Sequence, residues 1–170
     1  MIANTRKQKR LTRLLFIIYL LVLIWIIVFK FSFTFEDIPS LRSVNLIPLE
    51  GTAIRDNQYD YNELLSNVII FMPFGLYIGI LKRKWRFLLQ LLPIFGVSLL
   101  FESLQYIFAI GATDITDLIG NTLGGALGII TCFILRKAFN SHAIKVLNII
   151  AVIGTIAIFS LFALLMATNV

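Results

Sequence analysis

The chain has 170 residues, of which 59% are hydrophobic and only 14% charged, with a formal net charge of +6. That is more apolar side chain than one soluble core of this size can bury, so the surplus must face lipid, and no separate soluble domain fits beside it. The basic balance reads as a membrane-topology signal held by anionic lipid, not as a nucleic-acid patch, and no nucleic-acid partner is expected.

Five apolar runs are long enough to cross about 30 Å of hydrocarbon as helices. They cover residues 14–29, 64–81, 87–110, 115–135 and 146–167. The expected fold is therefore all-α, a polytopic membrane bundle of five transmembrane helices in the plasma membrane, read as one domain over 1–170. A basic stretch precedes the first run, as in a signal peptide, but the run is too long and no small-residue cleavage site follows, so it reads as a retained helix.

Charge orients the bundle. Arg6, Lys7, Lys9, Arg10 and Arg13 precede the first span; Lys82, Arg83, Lys84 and Arg86 fill the second turn; Arg136, Lys137 and Lys145 fill the fourth. These segments are assigned to the cytoplasm, which puts the amino terminus inside and the carboxyl terminus outside. Opposite them, the loop 30–63 carries Glu36, Asp37, Glu50, Asp56, Asp60 and Glu63 against only Lys30, Arg42 and Arg55. Within that loop, Asn45, Leu46, Ile47, Pro48 and Leu49 form an apolar island, expected to lie on the membrane surface or to fold back over whatever polar groups sit below.

Polar groups inside a span are costly and ask for a reason. Span two opens with Ser66 and Asn67, span three carries Glu102 and Gln105 near its outer end, and span four opens with Asp114, Asp117 and Asn121. Spacings of three and four put Glu102 with Gln105 on one helix face, and Asp114, Asp117 and Asn121 on another. The short joint around Gly111 makes the two helices an antiparallel pair, so one polar constellation at the outer face is expected. Asp114 and Asp117 also suit the positive amino end of span four, where capping is the plainer role. Capping does not account for Glu102 and Gln105; Glu102 either sits beside interfacial water or, on the sharper reading, is a partly buried carboxylate fit to be a proton donor or acceptor, or a cation ligand alongside Asp117. Neither Ser103 nor Thr116 has a histidine or lysine beside it to activate it. The single Cys132 excludes an internal disulfide or thiolate zinc site, and His142, the one histidine, reads as a solvated residue.

Gly120, Gly124 and Gly128 on span four, and Gly75 and Gly79 on span two, are small-xxx-small stripes, expected to pack helices closely within the chain and to bring Asn67 beside Asp117 and Asn121. Pro73 removes a backbone donor from the middle of span two and should bend it, whereas Pro93 falls near the start of span three.

Three blocks together resemble the VanZ-like family of bacterial membrane proteins: Asn45 to Pro48, Asn67 to Gly75, and the series from Glu102 through Gln105, Asp114, Asp117, Asn121 and Gly124 to Gly128. The likeness spans 44–135. Many relatives carry a basic residue where this chain has Ala112 and Thr113, and Phe where it has Leu49. The resemblance implies a cell-envelope protein associated with low-level resistance to the glycopeptide teicoplanin in Gram-positive bacteria. On that expectation Asn45, Asn67, Glu102, Gln105, Asp114, Asp117 and Asn121 bind a lipid-linked wall precursor, a lipid head group or the lipid-tailed antibiotic. The alternative is a membrane enzyme acting on a lipid-linked phosphate or sugar, with Glu102 as acid or base and Asp114 and Asp117 on a divalent cation. A carrier is the least supported reading, since the polar groups gather at one face and give no continuous path.

Overall fold

The computed structural model describes residues 2–29, 41–49, 54–55, 58–59 and 61–168. In chain order the elements are α1 (Ile2–Phe29), β1 (Leu41–Asn45), β2 (Ile54–Arg55), β3 (Gln58–Tyr59), α2 (Asn62–Leu81), α3 (Phe87–Phe108), β4 (Ile110–Asp114), α4 (Ile115–Phe139) and α5 (Ala143–Thr168). The acids Glu36, Asp37, Glu50, Asp56 and Asp60, and the base Lys30, lie outside the described residues.

Among the described residues four helical segments are long and apolar enough to cross a membrane: Lys7–Ile27, Asn62–Leu81, Phe87–Phe108 and Ile115–Phe139. The fifth expected span falls on α5, whose 26 residues extend about 39 Å at ~1.5 Å per residue. The chain is a polytopic helix bundle.

The closest pairing is α2 against α4. A methyl group at Gly124 would collide with the backbone of Val68, one at Gly128 with the backbone of Met72, and one at Gly75 with that of Gly125. The stripes read from the sequence thus face each other inside the chain. Backbones meet at this distance only where no Cβ intervenes, and in lipid such contact supplies the dispersion that replaces hydrophobic drive. Gly120 lies against Leu64 and the Cβ of Asn67, which carries the same close approach to the amino ends of both helices.

Around this pair, Phe71, Phe74, Ile78, Ile94, Phe101 and Ile129 form the core, joined by Leu23 of α1. Phe16, Tyr19, Phe74 and Tyr77 make an aromatic cluster between α1 and α2. Pro73 has no N–H for the carbonyl of Ile69, and the neighbouring carbonyl of Ile70 accepts a 2.8 Å bond from the Tyr19 hydroxyl. At the basic end, Gln90 Nε2 donates to the Lys82 and Trp85 carbonyls and closes the α2–α3 turn. There too α5 is pinned to α1: the Thr12 hydroxyl donates to Asn148 Oδ1 at 2.8 Å, and Asn148 Nδ2 donates to both carbonyl oxygens of Gln8.

Two short strand pairs depart from an all-helical expectation, and β2 with β3 is a two-residue antiparallel one, Ile54 opposite Tyr59. β1 and β4 pair in parallel, Leu41 opposite Ile110 through Asn45 opposite Asp114. A parallel pair joins segments far apart in the chain, and neither strand carries the alternation that would announce it.

Replacing Gly128 with Val drives a side chain into the α2 backbone, which cannot rotate away, and is expected to cost at least about 2 kcal/mol. Gly96, with open space at its Cβ position, is the comparison: Gly96→Ala is expected to be neutral or to gain up to about 1 kcal/mol from helix propensity. Thermal unfolding of the detergent-solubilised variants measures both.

Candidate functional site

The candidate residues gather at the end of the bundle where α2 and α4 begin and α3 ends. Here β4 leads straight into α4. Asp114, the N-cap, adopts an extended backbone and accepts a 2.7 Å bond from the Thr116 N–H. This is the capping role expected of it. Its other carboxylate oxygen accepts from Asn45 Nδ2 at 3.1 Å across the parallel ladder. Asn45 Oδ1 in turn accepts from the Ile47 N–H, which folds the chain into an Asx turn. The Leu49 N–H donates to Thr116 Oγ1 at 3.0 Å, so the apolar island does fold back over the head of α4, with Leu46 and Ile47 exposed.

Glu102 lies beneath this cover and is only 4% exposed. Its Oε2 accepts a 3.1 Å bond from the Asp114 N–H, and its own carbonyl accepts from the Thr113 hydroxyl. A carboxylate near a helix carboxyl end meets an unfavourable dipole, and here a backbone donor from the next element offsets it. α3 ends at Ala109, which takes the left-handed conformation at φ 53° without being glycine and turns the chain into β4.

On the other side of α4, Asn67 Nδ2 donates to Asp117 Oδ1 at 2.7 Å. Gly120 lies beside this bond: a Cβ there would come within 3.2 Å of the Asn67 Cβ and 3.0 Å of Leu64 Cδ1, so both would have to give way by a few tenths of an ångström. Asn121 lies one turn deeper and turns toward α3: its Nδ2 donates to Ser98 Oγ at 2.9 Å. The expected grouping of Asn67 with both Asp117 and Asn121 therefore divides, α2 taking the aspartate and α3 the asparagine. Gln105 diverges too, donating from Nε2 to the Ile27 carbonyl of α1 at 3.2 Å. Gln105 Oε1 and Asn121 Oδ1 are buried and accept no hydrogen bond from the described residues.

Ser98 was not singled out in the sequence, yet it is fully buried and belongs to this seam. Its position four residues before Glu102 and seven before Gln105 is the signal that would have found it. Thr116, set aside as a poor nucleophile, instead holds the cover in place. Among the described residues no group of three or more His, Cys, Asp or Glu side chains could hold a metal ion. The carboxylates of Glu102, Asp114 and Asp117 face β4, the α4 amino end and α2 respectively. An apolar cavity of about 200 Å³ lies between α1, α2 and α5, lined by Tyr19, Pro73, Tyr77 and Leu147 among others, and contains none of the candidate residues.

The sequence pattern of the VanZ/LLP1 family matches residues 16–136. The chain is also 42% identical over 123 residues to a protein of Enterococcus faecium called Protein VanZ, covering 71% of this chain and 73% of that one. No solved structure matches. The matched stretch runs from the middle of α1 to the end of α4 and so includes the glycine-packed pair, the ladder and every candidate residue, with α5 beyond it. With its apolar spans, the chain is a multi-pass protein of the bacterial cell membrane, and it belongs to the VanZ/LLP1 family.

Proposed function

We propose that this protein acts in the cell envelope to lower susceptibility to teicoplanin, through the polar site at the end of the bundle, which engages a lipid-linked wall precursor, a lipid head group or the lipid-tailed antibiotic. One observation carries the reading: Asn45, Asn67, Glu102, Asp114 and Asp117 are held by mutual and backbone hydrogen bonds at one end of a membrane bundle. Burying a carboxylate such as Glu102 at that depth is costly and contributes little to stability that apolar packing would not. The resistance association comes from the family, whose relative Protein VanZ shares 42% identity with this chain.

The site lies at the end opposite the basic turns 82–86 and 136–145, and on the positive-inside rule it faces outward. A ligand with a polar head above apolar tails meets it at the right depth. The Asx turn and the exposed Leu46 and Ile47 then form its rim against the membrane surface.

Orientation is tested with a membrane-impermeant maleimide on intact cells. Ser43→Cys is expected to label directly and Lys84→Cys only after permeabilisation; the reverse pattern would place the site inside. Function is tested by susceptibility. A host carrying the wild-type chain is expected to tolerate more teicoplanin than one carrying empty vector, and Glu102→Gln and Asp117→Asn, each inserted at normal levels, are expected to remove that tolerance. Full tolerance in both variants would rule out a mechanism based on this site.

A further inference from the structure

At the basic end of the bundle the packed helices leave a groove. α2 and α4 stay in contact as far as Gly79, where a methyl group would meet the Cys132 side chain, and α3 touches α4 at Ile94 against Gly125. Nearer the end, Phe87 and Gln90 of α3 and Phe133 of α4 line a cavity of about 410 Å³. A second cavity of about 450 Å³ shares Arg83, Phe133 and Arg136 with the first and adds Lys137 and Asn140. The α2–α3 turn that supplies Arg83 is closed by the Gln90 bonds to the Lys82 and Trp85 carbonyls.

The α4 wall of this groove is graded. Ile129, Ile130, Phe133, Arg136, Lys137 and Asn140 recur at the spacings of one helix face. The stripe climbs about 16 Å at ~1.5 Å per residue and changes from apolar to cationic as the span ends. Ile130 and Phe133 are 44% and 65% exposed, so its apolar part opens outward, where in a membrane acyl chains surround it. Nothing on the elements at this end neutralises the cationic part: no Asp or Glu occurs in 1–35, 64–101 or 118–170. Arg136 Nη1 donates to the Gly79 carbonyl at 3.4 Å, a bond that holds the guanidinium over the cavity and commits one of its five donors.

A planar guanidinium pairs bidentately with phosphate oxygens, and a second guanidinium with an ammonium beside it adds charge. An apolar channel leading up to such a cluster suits an anion carried on a hydrocarbon tail, whose head reaches the bases while the tail stays in the bilayer. We propose that this groove holds the phosphate of an anionic phospholipid from the leaflet at the basic end. Arg83, Arg136 and Lys137 bind the phosphate oxygens, and Ile130 and Phe133 pack on an acyl chain. The site lies at the opposite end from the Glu102 network and draws nothing from it.

The test places the full chain in nanodiscs of phosphatidylcholine, whose choline neutralises its own phosphate, and follows thermal unfolding as phosphatidylglycerol replaces part of that lipid. The expected result is a saturable rise in Tm of about 3 °C or more, the size that occupancy at tens of dissociation constants of ligand produces. Oleate, which brings a tail and a carboxylate at matched surface charge, is expected to give less than half of that rise; an equal rise with it overturns phosphate recognition. Inorganic phosphate separates the sources, since an equal rise with it assigns the groove to a free anion and overturns the lipid.

Arg136→Gln is expected to abolish the rise. Should that variant fail to fold, because it also frees the Gly79 carbonyl, the double variant Arg83→Gln with Lys137→Gln decides in its place, both side chains being exposed. Arg10→Gln, on an exposed position of α1 outside the groove, removes the same unit of charge as Arg136→Gln and is expected to keep the full rise. An equal loss in Arg10→Gln, or an undiminished rise in the groove variants, overturns the site in favour of general surface charge.

Discussion

Everything at the site depends on how closely α2 and α4 approach. At Gly75, Gly124 and Gly128 the two backbones meet with no side chain between them. In a bilayer the lipid tails are as apolar as the helices, so burying Leu or Ile gains little over leaving them in lipid, and dispersion between surfaces in intimate contact must hold the pair together. The glycine stripe also works as a register. Sliding α2 by one turn would set Met72 or Val68 against the wrong glycine and separate Asn67 from Asp117.

A second constraint comes from the backbone where helices end. α3 finishes and α4 begins within a few residues, and their terminal carbonyl and N–H groups need partners at membrane depth, where water is scarce. The parallel pairing of β1 with β4, the Asp114 cap and the Leu49 to Thr116 bond supply several of them. The loop segment is therefore part of the membrane fold. Glu102 is integrated into the same network through the Asp114 N–H. The carboxylate that a ligand would meet is thereby also one that orders the α3–α4 joint.

Three buried side-chain carbonyl oxygens have no donor among the described residues: those of Gln105 and Asn121 near the site and that of Gln90 at the basic end. A buried acceptor without a donor costs about 1 to 3 kcal/mol, and apolar residues at those positions would avoid that cost. In the knot of Gln8, Thr12 and Asn148, by comparison, the Asn148 amide both accepts and donates, and the result is a plain fastening of α5 to α1.

The helical architecture was legible in the sequence because apolar run length is a local property that bilayer thickness reads directly, and all five expected spans correspond to helices. The glycine stripes and the cap at Asp114 were legible for the same reason, being written in spacings of three and four. The parallel ladder, the burial of Ser98, and the division of Asn67 and Asn121 between Asp117 and Ser98 were decided only in three dimensions. They join residues between 23 and 69 positions apart. Helical periodicity states which face a side chain is on, but the rotation of each helix about its axis, which determines the partner that face meets, is set by packing against all the others at once.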